Sequence, residues 1–440
     1  MHKVDLIINN GYIVTMNSEM KLIEHGTIAI QNGRILAIGS TKELGNIYTS
    51  NNIIDASSKI VMPGLVNGHT HIPMTYFRGY ADDVVLQDWL QKYIWPAEEK
   101  FVKADFVYDA ALHGCAELIK NGVTMFNDMY FYSHETARAA EKAGLRAIIG
   151  EGILDFPMAF HKTPDSMIDY TLDGYEKYKN NELIDFAIMP HAIYTCSKET
   201  LKKAADVARK HGMLIHIHVS ETKKEVDDCM KQHSMRPIQY LDSIGFLGDD
   251  VSIAHGVWID DNEQKILAER GTSVNICTEC NLKLSSGFTP LNGYRRNGVI
   301  VNFGTDGVAS NNNLSILDEM DITAKVHKAI NNDPTFLPAE DVVKMAIIDA
   351  AEGFHKKDQI ASLDEGKTAD IILLATDCLE NLPMYNVYSH LVYTMHSSSV
   401  SDVIVNGRLL MHNRELLTID EQELKNKAIY YKNKIKEYHS

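Results

Sequence analysis

The chain has 440 residues, 45% apolar and 23% charged, a balance that excludes wholesale disorder, collagen-like repeats and a disulfide-stapled miniature. Its 59 acidic and 43 basic side chains leave a net charge of −16, which repels nucleic-acid backbones and anionic membranes. No apolar run approaches the roughly 20 residues needed to cross a bilayer. In chain order, Val4–Ile8, Tyr12–Met16, Gly26–Gln31 and Arg34–Gly39 are β-rich, with Asn9-Asn10-Gly11 and Asn32-Gly33 as tight-turn signals. From about 60 to 360 short apolar runs alternate with helical patterns. The runs are Ile60–Val66, Val123–Phe126, Ala147–Ile149, Phe186–Met189, Met213–Ile217, Val251–Ala254, Thr272–Ile276 and Val299–Phe303. Helical periods fall between them, among them Phe106–Lys120, Lys198–His211, Lys223–Ser243, Asp261–Arg270 and Leu314–Ile330. Then the β texture returns at Ala369–Leu374, Asp402–Val405 and Arg408–Met411, with Asn406-Gly407 as a hairpin turn and a helical tail over 420–440. This pattern predicts an α/β protein: a TIM-like (β/α)8 barrel over 60–360, and a small β-sandwich domain built from 1–59 plus 361–440.

In such barrels chemistry gathers at the carboxyl ends of the strands. There the sequence places His69 and His71, then Asp128, Glu151, His191, His218, His255, Asn275 and Asp306. His69-Thr70-His71 puts two imidazoles on one face of an extended chain, and His216-Ile217-His218 repeats the spacing. Two such pairs plus Asp306 supply nitrogen ligands and a carboxylate, with a position open for water, as in a catalytic metal site.

The stretches PGLVNGHTH, HIHVSET, AHGVW, NLKLSSG and GTDGVASNNN resemble the amidohydrolase superfamily, as does SLDEGKTADIILL where the chain returns to the β domain. Within it the chain is most similar to the methylthioadenosine/S-adenosylhomocysteine deaminase branch and its triazine chlorohydrolase relatives. The resemblance implies that His69, His71, His218 and Asp306 hold one divalent metal ion, Zn2+ or alternatively Fe2+. It implies Glu221 as proton shuttle, His255 as the contact to the attacking water, and His191 and Glu98 as substrate-binding residues. His216 matches no ligand of the family and is read as barrel packing. The dinuclear relatives bridge their metals with a lysine at the end of the fourth strand. Here that stretch reads Phe186-Ala187-Ile188-Met189-Pro190-His191, so a single ion is expected.

Two departures bear on substrate. Homocysteine-binding members carry arginines at and after the end of the third strand, where this chain has Glu151 and no arginine through 190. A glutamate there repels a substrate carboxylate, which disfavours S-adenosylhomocysteine unless Lys162 compensates. After the seventh strand the family pattern resembles HNPxSNxKL, whereas this chain has Cys277-Thr278-Glu279-Cys280-Asn281-Leu282-Lys283-Leu284. That Cys-x-x-Cys is read as small residues of a substrate loop rather than as a zinc or redox site. The resulting expectation is a metal-dependent deaminase of an aminated purine nucleoside such as methylthioadenosine or an adenosine derivative. Alternatives are guanine or pterin deamination, triazine dechlorination, and a non-catalytic metal-binding paralogue. A small-molecule partner, no nucleic acid, no membrane and a homo-oligomer are expected. So is a cytoplasmic location, since the start MHKVDLIINNGYIVTM does not resemble a secretion signal and the six scattered cysteines suit a reducing compartment.

Overall fold

The computed structural model describes residues 1–158 and 160–439. Its centre is a ring of eight parallel staves: β1 (Leu65–Thr70), β2 (Val123–Tyr130), β3 (Arg146–Ile153), β4 in two pieces (Ile184–Phe186 and Met189–Pro190), β5 (Ile215–Val219), β6 (Val251–His255), β7 (Ser273–Ile276) and β8 (Val301–Phe303). β1 to β4 pair in order, and β5 to β8 pair in order. Two seams close the ring. His216 N–H donates to Ile188 O at 3.1 Å and His218 N–H to His191 O at 3.0 Å, joining β4 to β5. Asp306 N–H donates to His69 O at 2.9 Å, joining β8 to β1. Both seams therefore pass through stave-end residues of the site. Every residue of β1, β2, β3, β5 and β6 is buried, which is why these segments do not show the apolar–polar alternation of a one-sided strand.

The surrounding helices follow local chemistry. Lys198–His211 starts at Ser197, whose hydroxyl accepts Thr200 N–H, and stops at Gly212, which takes a left-handed φ of 66°. Leu201, Ala204, Ala205 and Ala208, spaced three and four apart, form its buried face. The long helix expected over Lys223–Ser243 is two helices. Lys223–His233 ends at Ser234 with φ 56°, and Pro237 opens Pro237–Ser243. No described helix is long and apolar enough to cross a membrane.

The terminal segments form one hydrogen-bonded sheet of nine strands, with His2–Lys3 and Tyr48–Thr49 as a separate pair. The N-terminal side contributes Leu6–Val14, Leu22–Gln31, Arg34–Ser40, Ile53–Asp55 and Lys59–Pro63. The C-terminal side contributes Ile371–Ala375, Val400–Val405, Arg408–His412 and Glu415–Leu416. They meet where Lys59–Pro63 runs antiparallel to Ile371–Ala375. Alternation sorts their side chains: Val61, Ile371, Leu373 and Ile404 join a cluster within the sheet, while Ile60, Met62, Ile372, Leu374 and Val403 join the barrel core.

Two sequence expectations are corrected here. The run Ile60–Val66 is not one barrel strand; it divides at Gly64 into the sheet strand Lys59–Pro63 and β1. A Cβ on Gly64 would lie 2.0 Å from Thr124 Oγ1, so only glycine lets the chain cross there. Asn9-Asn10-Gly11 is not a turn but a bulge inside Leu6–Val14, with Asn10 at φ 66°. Asn32-Gly33 and Asn406-Gly407 do close two-residue hairpins.

Candidate active site

His69 and His71 meet Asp306 at the barrel mouth. His69 Nε2 is 3.5 Å and His71 Nε2 3.3 Å from Asp306 Oδ1, and His218 Nε2 is 3.3 Å from His71 Nε2. The opposite ring nitrogens are occupied. His71 Nδ1 lies 2.5 Å from Met129 O and His218 Nδ1 2.7 Å from His191 O. A carbonyl only accepts, so both Nδ1 atoms carry hydrogen and both Nε2 atoms face one another, a pairing that a cation between them satisfies. His69 Nε2 is in addition buried without a hydrogen-bond partner. The donor atoms of His69, His71 and Asp306 lie within 4.8 Å of one another, as do those of His69, His218 and His255. Burial and neighbouring imidazoles hold His218 well below its ordinary pKa; burial brings His69 to about 4 and His191 to about 3, so these imidazoles are neutral at pH 7. Three imidazoles and a carboxylate fit a divalent transition ion.

His216 does more than pack. Its Nε2 lies 2.9 Å from His69 Nδ1 and orients that ring from below. Asp306 is held just as firmly. Its Oδ1 accepts Gly307 N–H at 2.7 Å, and its Oδ2 accepts Ser310 Oγ at 3.0 Å and Cys280 Sγ at 2.8 Å. Burial pushes its carboxyl up, but the His69 contact and the imidazoles of His71, His69 and His255 outweigh this and hold it well below the ordinary range. Both Asp306 (φ 61°) and His255 (φ 71°) take left-handed backbone, a strain that non-glycine residues bear mostly at functional turns.

Glu221 faces this group from the turn after β5, its Oε2 3.8 Å from His255 Nε2. Ser286 Oγ donates to its other oxygen at 3.2 Å, and burial raises its pKa, opposed by His255 and assisted by Asp306. Asn281 Oδ1, 3.1 Å from His255 Nδ1, accepts that N–H and turns Nε2 toward Glu221. His71, His218, His255, Asp306, Glu221 and His191 all border one cavity, open to solvent on one side. Glu98 borders it too, from helix Trp95–Phe101, and accepts the Tyr130 hydroxyl at 2.7 Å. The remaining wall is largely Met, Leu, Trp and Phe side chains, and none of the described lining residues is Lys or Arg.

Glu151 does not border this cavity. It is fully buried, and its two oxygens accept the N–H groups of Tyr132 (3.0 Å) and Ser133 (2.8 Å) at the start of helix Ser133–Ala143. It borders an adjoining compartment, together with Lys162, whose Nζ donates to Met158 O at 2.9 Å. Asp128 likewise holds backbone, accepting Ile72 N–H at 2.6 Å, and Asn275 donates to Ile253 O at 2.9 Å. Sequence reasoning missed the same device elsewhere. Glu225 accepts the N–H groups of Ser220 and Glu221, and Glu319 accepts those of Thr278 and Glu279. Buried carboxylates thus grip pairs of N–H groups in several of the turns that follow staves. The only sequence signal is an acidic residue where a helix would bury it.

Residues 60–410 match the amidohydrolase family model. The chain is 44% identical over 432 residues to the 5-methylthioadenosine/S-adenosylhomocysteine deaminase of Thermodesulfovibrio yellowstonii, covering 98% of each. It is 40% identical over 405 residues to the 5'-deoxyadenosine deaminase of Methanosphaera stadtmanae, covering 91% of this chain and 94% of that one. Its fold superposes on a crystal structure of an adenosine deaminase from Xanthomonas campestris with bound zinc at a TM-score of 0.97, with 34% identity and 99% of both chains covered. With a family match over most of its length and relatives of this identity along nearly all of it, the chain belongs to the amidohydrolase family.

Proposed function

We propose that this protein is a metal-dependent hydrolytic deaminase of adenine nucleosides whose 5′ end is neutral, methylthioadenosine and 5′-deoxyadenosine ahead of S-adenosylhomocysteine. The observation that carries the reading is a cluster of imidazoles with the Asp306 carboxylate, and the buried Glu221, facing one cavity. His69, His71, His218 and Asp306 would hold the ion, with zinc favoured by the imidazole-rich set. The ion would supply Lewis acidity and, by lowering the pKa of water toward roughly 7, a nucleophile at neutral pH. Asp306, ionised, accepts the proton of the attacking water. Glu221, its pKa raised by burial, gives its proton to the ring nitrogen beside the reacting carbon; the proton held by Asp306 passes to the departing amine, and the new C–OH returns one to Glu221 as the carbonyl forms. His255 orients the water, aligned by Asn281. His191 and Glu98 contact the nucleoside. An amine needs protonation to leave and chloride does not, so Glu221 favours deamination over dechlorination.

The lining without Lys or Arg supports the 5′ preference: a homocysteine carboxylate entering this apolar wall finds no cation there. Ammonia release from methylthioadenosine, 5′-deoxyadenosine, S-adenosylhomocysteine and guanine tests the reading. We expect kcat/KM for the first two to exceed that for S-adenosylhomocysteine by about a hundredfold, the effect of a few kcal/mol. Elemental analysis should find one ion per chain. Glu221→Gln should keep that ion and lose about 10²–10⁴ in kcat. Guanine as the preferred substrate, or a Glu221→Gln enzyme of normal rate, would overturn the assignment.

A further inference from the structure

Glu225 lies one turn into helix Lys223–His233 and is buried, yet it does not border the cavity that holds the histidines. Its Oε1 accepts Ser220 N–H at 2.7 Å and its Oε2 accepts Glu221 N–H at 3.0 Å. Those two N–H groups belong to the turn that ends β5, where Ser220 takes a left-handed φ of 54°. A serine does not rest in that conformation unaided. On its other side the same turn is fastened to the loop after β6. Ser220 O accepts the N–H groups of Val257 (3.0 Å) and Trp258 (2.9 Å), and Gly256 N–H donates to Val219 O at 3.1 Å. His255 immediately precedes these residues. Glu221 and His255 therefore face each other across one junction, 3.8 Å apart, and Glu225 is the side chain that clamps its free edge. The clamp is itself aimed by a cap: Thr222 Oγ1 accepts Glu225 N–H at 3.2 Å, fixing the first turn of the helix.

We propose that Glu225 is a positioning residue for proton transfer, holding the Ser220–Glu221 turn so that the Glu221 carboxylate meets His255 and the substrate ring. It acts through Glu221 and touches no substrate. It supplies two acceptors to two adjacent N–H groups that have no other hydrogen-bond partner among the described residues.

The proposal rests on the deaminase reading only for its kinetic arm. Glu225→Ala in the metal-loaded enzyme should lower kcat about a hundredfold, with KM within about threefold and one ion retained. Glu225→Gln, which keeps one acceptor, should fall between it and the unmutated enzyme. In a Glu221→Gln background the added Glu225→Ala should cost less than about threefold, because the group it serves is already gone. A full, multiplicative loss in that background overturns the proposal. If Glu225→Ala does not fold, Glu225→Gln in the same two backgrounds carries the comparison. Independently of any substrate, a crystal structure of either variant should show Ser220 leaving the left-handed region and Glu221 separating from His255. An unchanged turn overturns the positioning role even if deamination is confirmed, whereas a relaxed turn in a protein inactive on every nucleoside upholds it and discards the substrate assignment.

Discussion

Among single residues, Glu98 shows how burial sets behaviour. Its carboxyl is pushed up to about 7 by burial, against an ordinary value of 4.5, and the Tyr130 hydroxyl only partly offsets this. The native protein therefore holds that proton more tightly than the unfolded chain does between about 4.5 and 7. Wherever the native state binds the extra proton, stability falls as pH rises, so the contribution is present below about 4.5 and lost as pH climbs through 7. Glu98→Gln removes this ionisation while keeping an acceptor for Tyr130. Thermal unfolding of both proteins should show the variant more stable at pH 8 and the difference shrinking toward pH 5. Equal melting curves at both pH values would mean that folding does not raise the Glu98 pKa. The grouping of His69, His71, His218 and Asp306 was legible in the sequence because their motifs resemble the family's, and these four side chains do lie together at one rim. Glu225, Glu319 and Cys280 were not legible. Their meaning lies in which turn or carboxylate they reach across the fold, and a linear pattern does not encode that reach. Nor was the placement of Glu151 legible: it borders the adjoining compartment, and the neighbouring turn takes both of its oxygens.

At the level of elements, the closure of β8 onto β1 sets the spacing of the proposed ligands His69 and Asp306. A Cβ built on Gly304 would come within 2.6 Å of His69 Cβ and 2.9 Å of its backbone nitrogen. Alanine there must push the two staves apart, and with them His69 from Asp306. Gly304→Ala is expected to weaken metal affinity about 10–100-fold, the size seen when the support of a ligand is disturbed. Competition against a chelator would measure it; unaltered retention would show that the seam absorbs a methyl group. The sequence revealed the count of staves and the positions of most, since runs buried on both faces read as continuous apolar stretches. It did not reveal Gly64 as a crossing point, because sheet strand and stave share one apolar run. Nor did it reveal the bulge at Asn10, since the same Asn-Asn-Gly chemistry serves a turn or a bulge depending on tertiary pairing.

Across the whole molecule, one buried ion pair ties barrel to sheet. Arg146, at the start of β3, donates from Nε to Asp370 Oδ2 at 2.9 Å and from Nη2 to Oδ1 at 3.3 Å. Asp370 also accepts Asn406 N–H at 2.7 Å, and Arg146 reaches Glu182 O at 2.7 Å. Both side chains are at most 4% exposed, so neither charge has water to fall back on. Asp370→Asn leaves the guanidinium buried and unpaired, which should destabilise the protein by about 3–5 kcal/mol in urea unfolding. A loss below about 1 kcal/mol would mean that water reaches Arg146 once its partner is neutral.

The strand Lys59–Pro63 pairs on one edge with Leu6–Val14 and finds its other neighbour only in Ile371–Ala375. About 300 residues, the entire barrel, are translated between the two. At the usual 5–20 residues per second that is roughly 15–60 s during which the nascent sheet presents an unpaired edge. A ribosome that slows within the barrel lengthens this exposure, so a strand made before the enzyme's core is completed only after it. Synonymous codon changes that alter elongation over this interval would then change the yield of folded protein while leaving its amino-acid sequence untouched.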